Sequence, residues 1–325
     1  MPGRFPTAAV PRPPRGARIG ILTGGTSRER ERSLATARDV ADALAALGHT
    51  AQLIDTADAA FAGAVRGVDA AFLAIAGRGA EDGTLQGFLQ AQGIAYTGSG
   101  VRASALAMHK PTAKTVAAAA GVPVLPGVQV HPTRDAGVAA KEVLDALPAP
   151  VIVKPESEGS SIDIAVAHDV ASLTEVLTRL RRSGQPLLAE PFMAGRAVTV
   201  GVLEEDGEPV ALPVVEVTTD AEFYDHTAKL DPAGHAFHCP ADLPAGVAEA
   251  LTDAACLAHR ALGCAGYSRS DFVVADDGTF AWLELNTLPG LRRSGTLALM
   301  AEAAGATYEQ LIDRVLATAY TGEPR

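Results

Sequence analysis

Cysteine is scarce in this chain: Cys239, Cys256 and Cys264 are the three among 325 residues. Their odd number and the lack of a CxxC pair argue against a disulfide framework or a zinc site. They fit a reducing, cytoplasmic compartment. Long apolar runs are missing as well. The most apolar stretch, 116–130, is broken by Gly121, Pro123, Pro126 and Gly127, and falls short of the ~18 residues of a membrane span. Basic charge is in deficit. With 27 Lys and Arg against 38 Asp and Glu, the net charge is −11, which disfavours general nucleic-acid binding. The opening segment, MPGRFPTAAVPRPPRG, holds five prolines and no apolar run of the secretory-signal kind, so residues 1–17 are expected to form a disordered tail.

What remains is ordinary globular material, 48% apolar and 20% charged, enough for two or three domains at roughly 100–200 residues each. Residues 18–23 (RIGILT) read as a strand running into Gly24-Gly25-Thr26-Ser27 and then a helix over 33–47. Strands at 51–55 and 69–75 and a helix at 84–92 continue a β–α–β rhythm, which implies a parallel sheet in a unit spanning 18–107. A second unit, 108–198, holds a helix at 111–120, the strand VIVK at 151–154, a Gly/Ser loop, a helix at 170–182 and a strand at 187–190. The third unit, 199–325, holds strands at 199–203 and 210–217 and a polar loop at 218–243. A helix at 245–262, a hairpin at 267–286 and two closing helices follow. The fold class is therefore multi-domain α/β.

The hairpin segment YSRSDFVVADDGTFAWLELN carries the most chemistry. Asp277-Gly278 is a two-residue turn signal, and with that turn every facing pair sums to 555. Asp271 then lies opposite Glu284, and Arg269 opposite Asn286, all on one face because side chains alternate along a strand. Phe272, Val274, Ala281, Leu283 and Leu285 form the other, core face, while Trp282 is predicted on the site face with a core or rim role also compatible with its spacing. Opposed carboxylates repel, and a divalent cation between them reverses that sign; carboxylate and amide oxygens suit Mg²⁺. The alternative is a solvated face on which Arg269 merely pairs with the acids.

Lys154 ends a strand beside the small-residue loop Ser157-Glu158-Gly159-Ser160-Ser161, an arrangement that holds phosphate through charge and backbone N–H groups. It is neither a Walker A loop nor GxGxxG, and an ordinary loop lysine explains it equally well. Lys110 and Lys229 are further candidates. His226, His235 and His238 fall in the polar loop without metal-ligand spacing.

Taken together and in order, GGTSRERERSL (24–34), GRGAEDGTLQGFL (77–89), YTGSGVRASALAM (96–108), VIVKPESEGSS (151–161), FYDHTAK (223–229) and LELNTLPG (283–290) resemble the D-alanine–D-alanine ligase family of the ATP-grasp superfamily. The resemblance implies a three-domain ATP-grasp fold with an N-terminal parallel-sheet domain. It implies ATP-dependent amide formation between two amino acids through an acyl phosphate, with two Mg²⁺, replaceable by Mn²⁺. It also implies small-molecule amino-acid substrates, no nucleic-acid or membrane partner, and compatibility with a homodimer. By position, Lys110, Lys154, Ser161 and Lys229 would serve the ATP phosphates, with Glu190, Phe192 and Met193 along the adenine edge. Asp271, Glu284 and Asn286 would hold the metals, Arg269 and the Gly290 N–H the oxyanion, and Glu29, with Ser160 beside it, the donor ammonium.

The departures from the family cluster where substrates are chosen. Ala76 stands where the family has histidine, Leu230 where it has the tyrosine of a Glu–Ser–Tyr triad, and Gly295 where it has a serine that receives the second amino acid's carboxylate. His109 replaces an aspartate before the first phosphate lysine, and Ala197 a glutamate near the ribose. The last two lie outside the amino-acid pocket, and Ala197 bears on nucleotide affinity; the first three favour a ligase redirected to a non-standard amino-acid pair, with Arg292 or Arg293 reading an anion on a bulkier substrate. Two solvent-facing arginines at a helix start are the plainer account. Two other functions stay open: a D-alanine–D-alanine ligase proper in cell-wall precursor synthesis, and a non-catalytic nucleotide or amino-acid sensor.

Overall fold

The computed structural model describes residues 3–14, 16–158, 163–219 and 234–321. Its first sheet grows from short apolar runs, of which 19–23 and 70–73 are buried throughout, as central parallel strands require, while the edge run at 51–55 leaves Leu53 53% exposed. Strands β1 (Ile19–Thr23), β2 (Ala51–Asp55), β3 (Ala70–Leu73) and β4 (Ala95–Tyr96) run parallel in the order β2-β1-β3-β4. Helix α1 (Arg30–Ala46) makes the first crossover, burying Ser33, Thr36, Ala37, Val40, Ala43 and Leu44 at helical spacing. α2 (Phe61–Val65) and α3 (Thr84–Ala91) make the next two. Strand order reverses between β1 and β3, which opens a crevice at their carboxyl ends, the usual place for a ligand in such a sheet. Gly24 lines the turn there at φ +70°, and a Cβ would sit 2.2 Å from Asp55 Oδ1, so glycine is required.

Helices α4 (Val101–Met108) and α5 (Lys110–Ala119) follow. The second sheet is antiparallel, β5 (Val128–Val130), β8 (Leu187–Pro191), β6 (Val151–Pro155) and β7 (Ala165–Ala167) in that order, with α6 (Ala136–Ala146) and α7 (Val170–Leu180) packed on it. The third sheet contains β9 (Arg196–Glu205), β10 (Glu208–Ala211), β11 (Val215–Thr219), β12 (His235–His238), β13 (Tyr267–Val274) and β14 (Phe280–Asn286). The strand expected over 210–217 is thus two strands, parted at Leu212-Pro213-Val214. Helix α8 (Val247–Leu262) covers this sheet together with α5, whose Ala113 and Ala117 share a core with Leu251, Ala255 and Trp282. Helix α5 therefore packs with the third sheet, although it precedes the second in the chain. The closing helices α9 (Thr296–Ala303) and α10 (Tyr308–Ala317) join the core of the first sheet, which ties the chain's two ends together.

The expected tail is not free. Glu205 accepts hydrogen bonds from the backbone N–H of Thr7 (2.6 Å) and Ala8 (2.8 Å) and pairs with Arg4. The buried guanidinium of Arg314 donates to the carbonyls of Pro6 (3.2 Å) and Ala8 (2.6 Å). Proline richness removed helix and sheet as options but left these carbonyls available for capture, which is why composition alone misread the segment.

The hairpin corrects a second expectation. Its loop has three residues, 276–278, with Ala275 N–H donating to Thr279 O (2.8 Å) and Gly278 at φ +85°. Pairs next to the loop, such as Phe272 with Trp282, are therefore one residue out of the expected register. A bulge between Asp271 and Phe272 absorbs Leu283 and restores the frame, so Asp271 faces Glu284 and Arg269 faces Asn286. The bulge also exchanges two side chains: Trp282 enters the core, 0% exposed, and Leu283 turns toward the cavity.

The Arg4 hydrogen bond, with the two backbone N–H groups, holds the Glu205 carboxyl down at about 2. Its docking contribution is complete above the ordinary glutamate range and is lost as pH falls from there toward about 2. Glu205→Ala is expected to speed tryptic cleavage after Arg4 severalfold at neutral pH, and an unchanged cleavage rate would show that this contact does not hold the segment.

Candidate active site

A cavity of about 950 Å³ lies where the three sheets converge, walled by residues as distant in sequence as Glu29, Lys154, Met193 and Gly295. The hairpin supplies one wall. Arg269 donates to both carboxylate oxygens of Asp271 (2.8 Å each), and Thr199 Oγ1 donates to Asp271 Oδ1 (2.7 Å). Across the strand pair, Glu284 meets the Lys110 ammonium at 3.2 Å. Burial opposes the Arg269 charge, but Asp271, Glu284 and Glu81 outweigh it, and the guanidinium pKa is raised. Asn286 is held from both sides: Nδ2 donates to Glu81 Oε1 (3.0 Å), and Oδ1 accepts from the Leu288 N–H (2.7 Å).

Two groups here were absent from the sequence reading. Glu81 is buried, accepts from the Gly77 N–H (2.8 Å), and is pushed up to about 7 by burial and the nearby Glu29 charge. It lay inside the GRGAEDG motif, but only the folded chain brings that loop to Asn286. Lys114 sits one helical turn after Lys110, a spacing that places both on one face of α5. Its ammonium lies 2.5 Å from Glu190 Oε1, while Lys154 lies 2.6 Å from Glu190 Oε2. Burial and the Lys154 charge lower Lys114 to about 8. Glu190 is lowered too, because the two lysines outweigh its burial. The Glu190 carboxylate is thus the counter-ion of two lysines, whereas Phe192 and Met193 line the cavity.

The remaining expected residues divide. Lys110 also donates to Glu158 O (2.5 Å). Glu29, Ala76, Arg292, Gly290 and Gly295 line the cavity. Arg292 does so while donating from Nε to Asp39 (2.8 Å). Arg293 is turned elsewhere, bonded to Glu309 (2.8 Å) with its guanidinium 4.3 Å from the Tyr308 ring centre, so it does not reach the substrate space. His109 caps α5, with Nδ1 accepting from the Thr112 N–H (3.3 Å), so this departure from the family keeps the helix start intact. Ser160, Ser161, His226, Lys229 and Leu230 lie outside the described residues.

Removing the shared counter-ion leaves two neighbouring buried ammonium groups uncompensated. Glu190→Gln is expected to cost about 3–5 kcal/mol of unfolding free energy, as for other broken buried pairs. Denaturant titration measures it, and a loss near zero would mean that the lysines find other partners.

Comparison with known proteins agrees with this geometry. The family model described as D-ala D-ala ligase C-terminus matches residues 116–317. The D-alanine–D-alanine ligase of Anaeromyxobacter sp. (strain Fw109-5) is 39% identical over 303 residues, 93% of this chain and 96% of that protein. Among solved structures, the D-alanine–D-alanine ligase of Bacillus anthracis complexed with ATP superposes with a TM-score of 0.81 at 28% identity, covering 94% of this chain and 98% of that one. The VanG D-Ala:D-Ser ligase from Enterococcus faecalis gives 0.78 at 25% identity, covering 93% and 99%. On family model, identity and fold together, the chain belongs to the D-alanine–D-alanine ligase family of ATP-grasp proteins.

Proposed function

We propose that this protein joins two amino acids by ATP-dependent amide formation and that the pair differs from two D-alanines. The observation that carries the chemistry is the hairpin wall, where Arg269, Asp271, Glu284 and Asn286 share one face of the cavity with Lys110. Two opposed carboxylates and an amide are a hard-oxygen donor set that fits Mg²⁺, or Mn²⁺ in its place. Arg269 and Lys110 pair with these carboxylates in the structure, and a divalent ion would share the same oxygens. Asn286 would supply the third oxygen of the set, and among the described residues no group of three His, Cys, Asp or Glu could hold a metal. Two such ions, when bound, would neutralise the phosphates of ATP.

The chain's own groups do the rest. Lys110 and Lys154 bind the phosphates, with Ser161 and Lys229 assigned to the same task. Phe192 and Met193 form the adenine wall. Glu29 receives the donor's ammonium, with Ser160 assigned to the same group. The donor carboxylate oxygen attacks the γ-phosphorus, ADP leaves, and an acyl phosphate forms. The acceptor nitrogen then adds to the carbonyl carbon, inorganic phosphate departs with the C–O electron pair, and the nitrogen loses a proton. Arg269 and the Gly290 N–H stabilise the oxyanion between these events. Of the two arginines after Leu291, Arg292 lies at the cavity and is the one assigned to a substrate anion.

A second reading has its own support: relatives about 40% identical along nearly the whole chain carry the name D-alanine–D-alanine ligase, and this protein would then make that dipeptide itself. The test is ADP and phosphate release with ATP and Mg²⁺ against D- and L-amino acids, singly and in pairs, with products identified by mass spectrometry. Turnover with another pair and none with D-alanine supports the proposal; robust D-alanyl-D-alanine synthesis sinks it in favour of the second reading. Nucleotide binding without turnover would mark a sensor. Arg269→Ala is expected to lower kcat by about 10²–10³-fold, the usual cost of an oxyanion donor, and a smaller effect would remove Arg269 from that role.

A further inference from the structure

A second cavity, of about 240 Å³, opens at the carboxyl end of the first sheet, on the α2 and α3 side of the same switch-point crevice. Ile75 and Ala76 line both cavities. The Ala76 peptide is pinned from two directions: its N–H donates to Ser33 Oγ (3.0 Å), and its carbonyl accepts from Ser27 Oγ (2.9 Å). The backbone at this partition is therefore held in place, and the side chain it presents is a single methyl group.

One side of the cavity beyond is apolar. Phe61 and Phe88 pack with ring centres 5.2 Å apart and form that side with Ile75 and Leu85, while Thr26, Ser27, Thr56, Arg78 and the exposed Thr84 line the rest. The entrance lies beside the loop that carries Glu29. A Cβ placed on Gly77, the next residue after Ala76, would come within 3.1 Å of Glu29 Oε2. Glu29 thus stands beside the 76–77 segment, and an amino acid whose ammonium group rested on it would have its Cα near this partition. The acceptor side of the cavity, at Gly295, belongs to a different segment.

We propose that the second cavity receives the side chain of the donor amino acid, and that this side chain is apolar and larger than methyl. The proposal rests on the ligase reading above and on the placement of the donor ammonium at Glu29. It makes the Phe61–Phe88 cavity the element that selects the donor.

The experiment measures kcat/KM for alanine, valine, leucine and phenylalanine, both enantiomers, as donors with a fixed acceptor at saturating ATP and Mg²⁺. Tandem mass spectrometry assigns which residue occupies the donor position of each product. A leucine or phenylalanine donor is expected to exceed alanine by at least about tenfold, the discrimination an apolar pocket gives for a methylene or two. Filling the cavity should collapse that ratio by a similar factor in two independent variants. These are Ala76→Phe, at the partition, and Thr84→Phe, which enters from the exposed start of α3 and demands no repacking of the core. Alanine as the preferred wild-type donor, or a ratio unmoved in a folded Thr84→Phe protein, overturns the inference while leaving the ligase reading intact. No ATP-dependent product from any pair overturns both.

Discussion

Two carboxylates placed face to face on neighbouring strands repel, and the hairpin that carries Asp271 and Glu284 survives because cations are brought to each. Arg269 comes from the same strand as Asp271, two residues away, and reaches it with a bidentate fork. Lys110 comes from a helix that precedes the second sheet in the chain. The packing of α5 against β14 and α8 thus does double work, covering a core and delivering the ammonium that Glu284 needs. A second charge cluster repeats the pattern deeper in, where Glu190 from the middle sheet holds Lys114 and Lys154 together. In each cluster one cation comes from α5, Lys110 or Lys114, to an anion on a sheet, so the placement of that helix and the charge state of the site are one problem.

The first sheet contributes differently. Its strand order creates an opening at the carboxyl ends of β1 and β3, and Gly24, Gly25 and Gly77 there leave room for the side chains of Asp55, Ile75 and Ser27. Ser27 and Ser33 hydrogen-bond to the Ala76 peptide and hold the two loops as one surface. Glu81 extends that surface to the hairpin wall, where it accepts a hydrogen bond of 3.0 Å from Asn286. The closing helices α9 and α10 pack into the same core and bring Arg292 and Gly295 to the rim.

Much of this was legible beforehand. Strand alternation put Arg269, Asp271, Glu284 and Asn286 on one face, and the prediction survived because two deviations cancelled: a three-residue loop shifted the register by one, and a bulge shifted it back. Between the two deviations the prediction failed, and Trp282 and Leu283 exchanged faces. A bulge has no residue-type signature here strong enough to reveal it. Lys114 could have been found from its four-residue spacing after Lys110, since both then share a helix face. Its meaning depended on Glu190, seventy-six positions away. Arg293 illustrates the opposite error, because its charge and position suggested a substrate contact, whereas Glu309 and Tyr308 had claimed it.

What the amino-acid order determined by itself was local: which segments pair as strands, which helix faces are apolar, and which oxygen and nitrogen groups stand side by side on a hairpin. Those follow from the fixed periods of strand and helix. Tertiary structure decided which cation meets which anion, that the proline-rich start docks on Glu205 and Arg314, and that Ala76 stands between two cavities. Such contacts join positions tens to hundreds of residues apart. Their geometry follows from how three sheets and their helices exclude water together, which no single segment specifies.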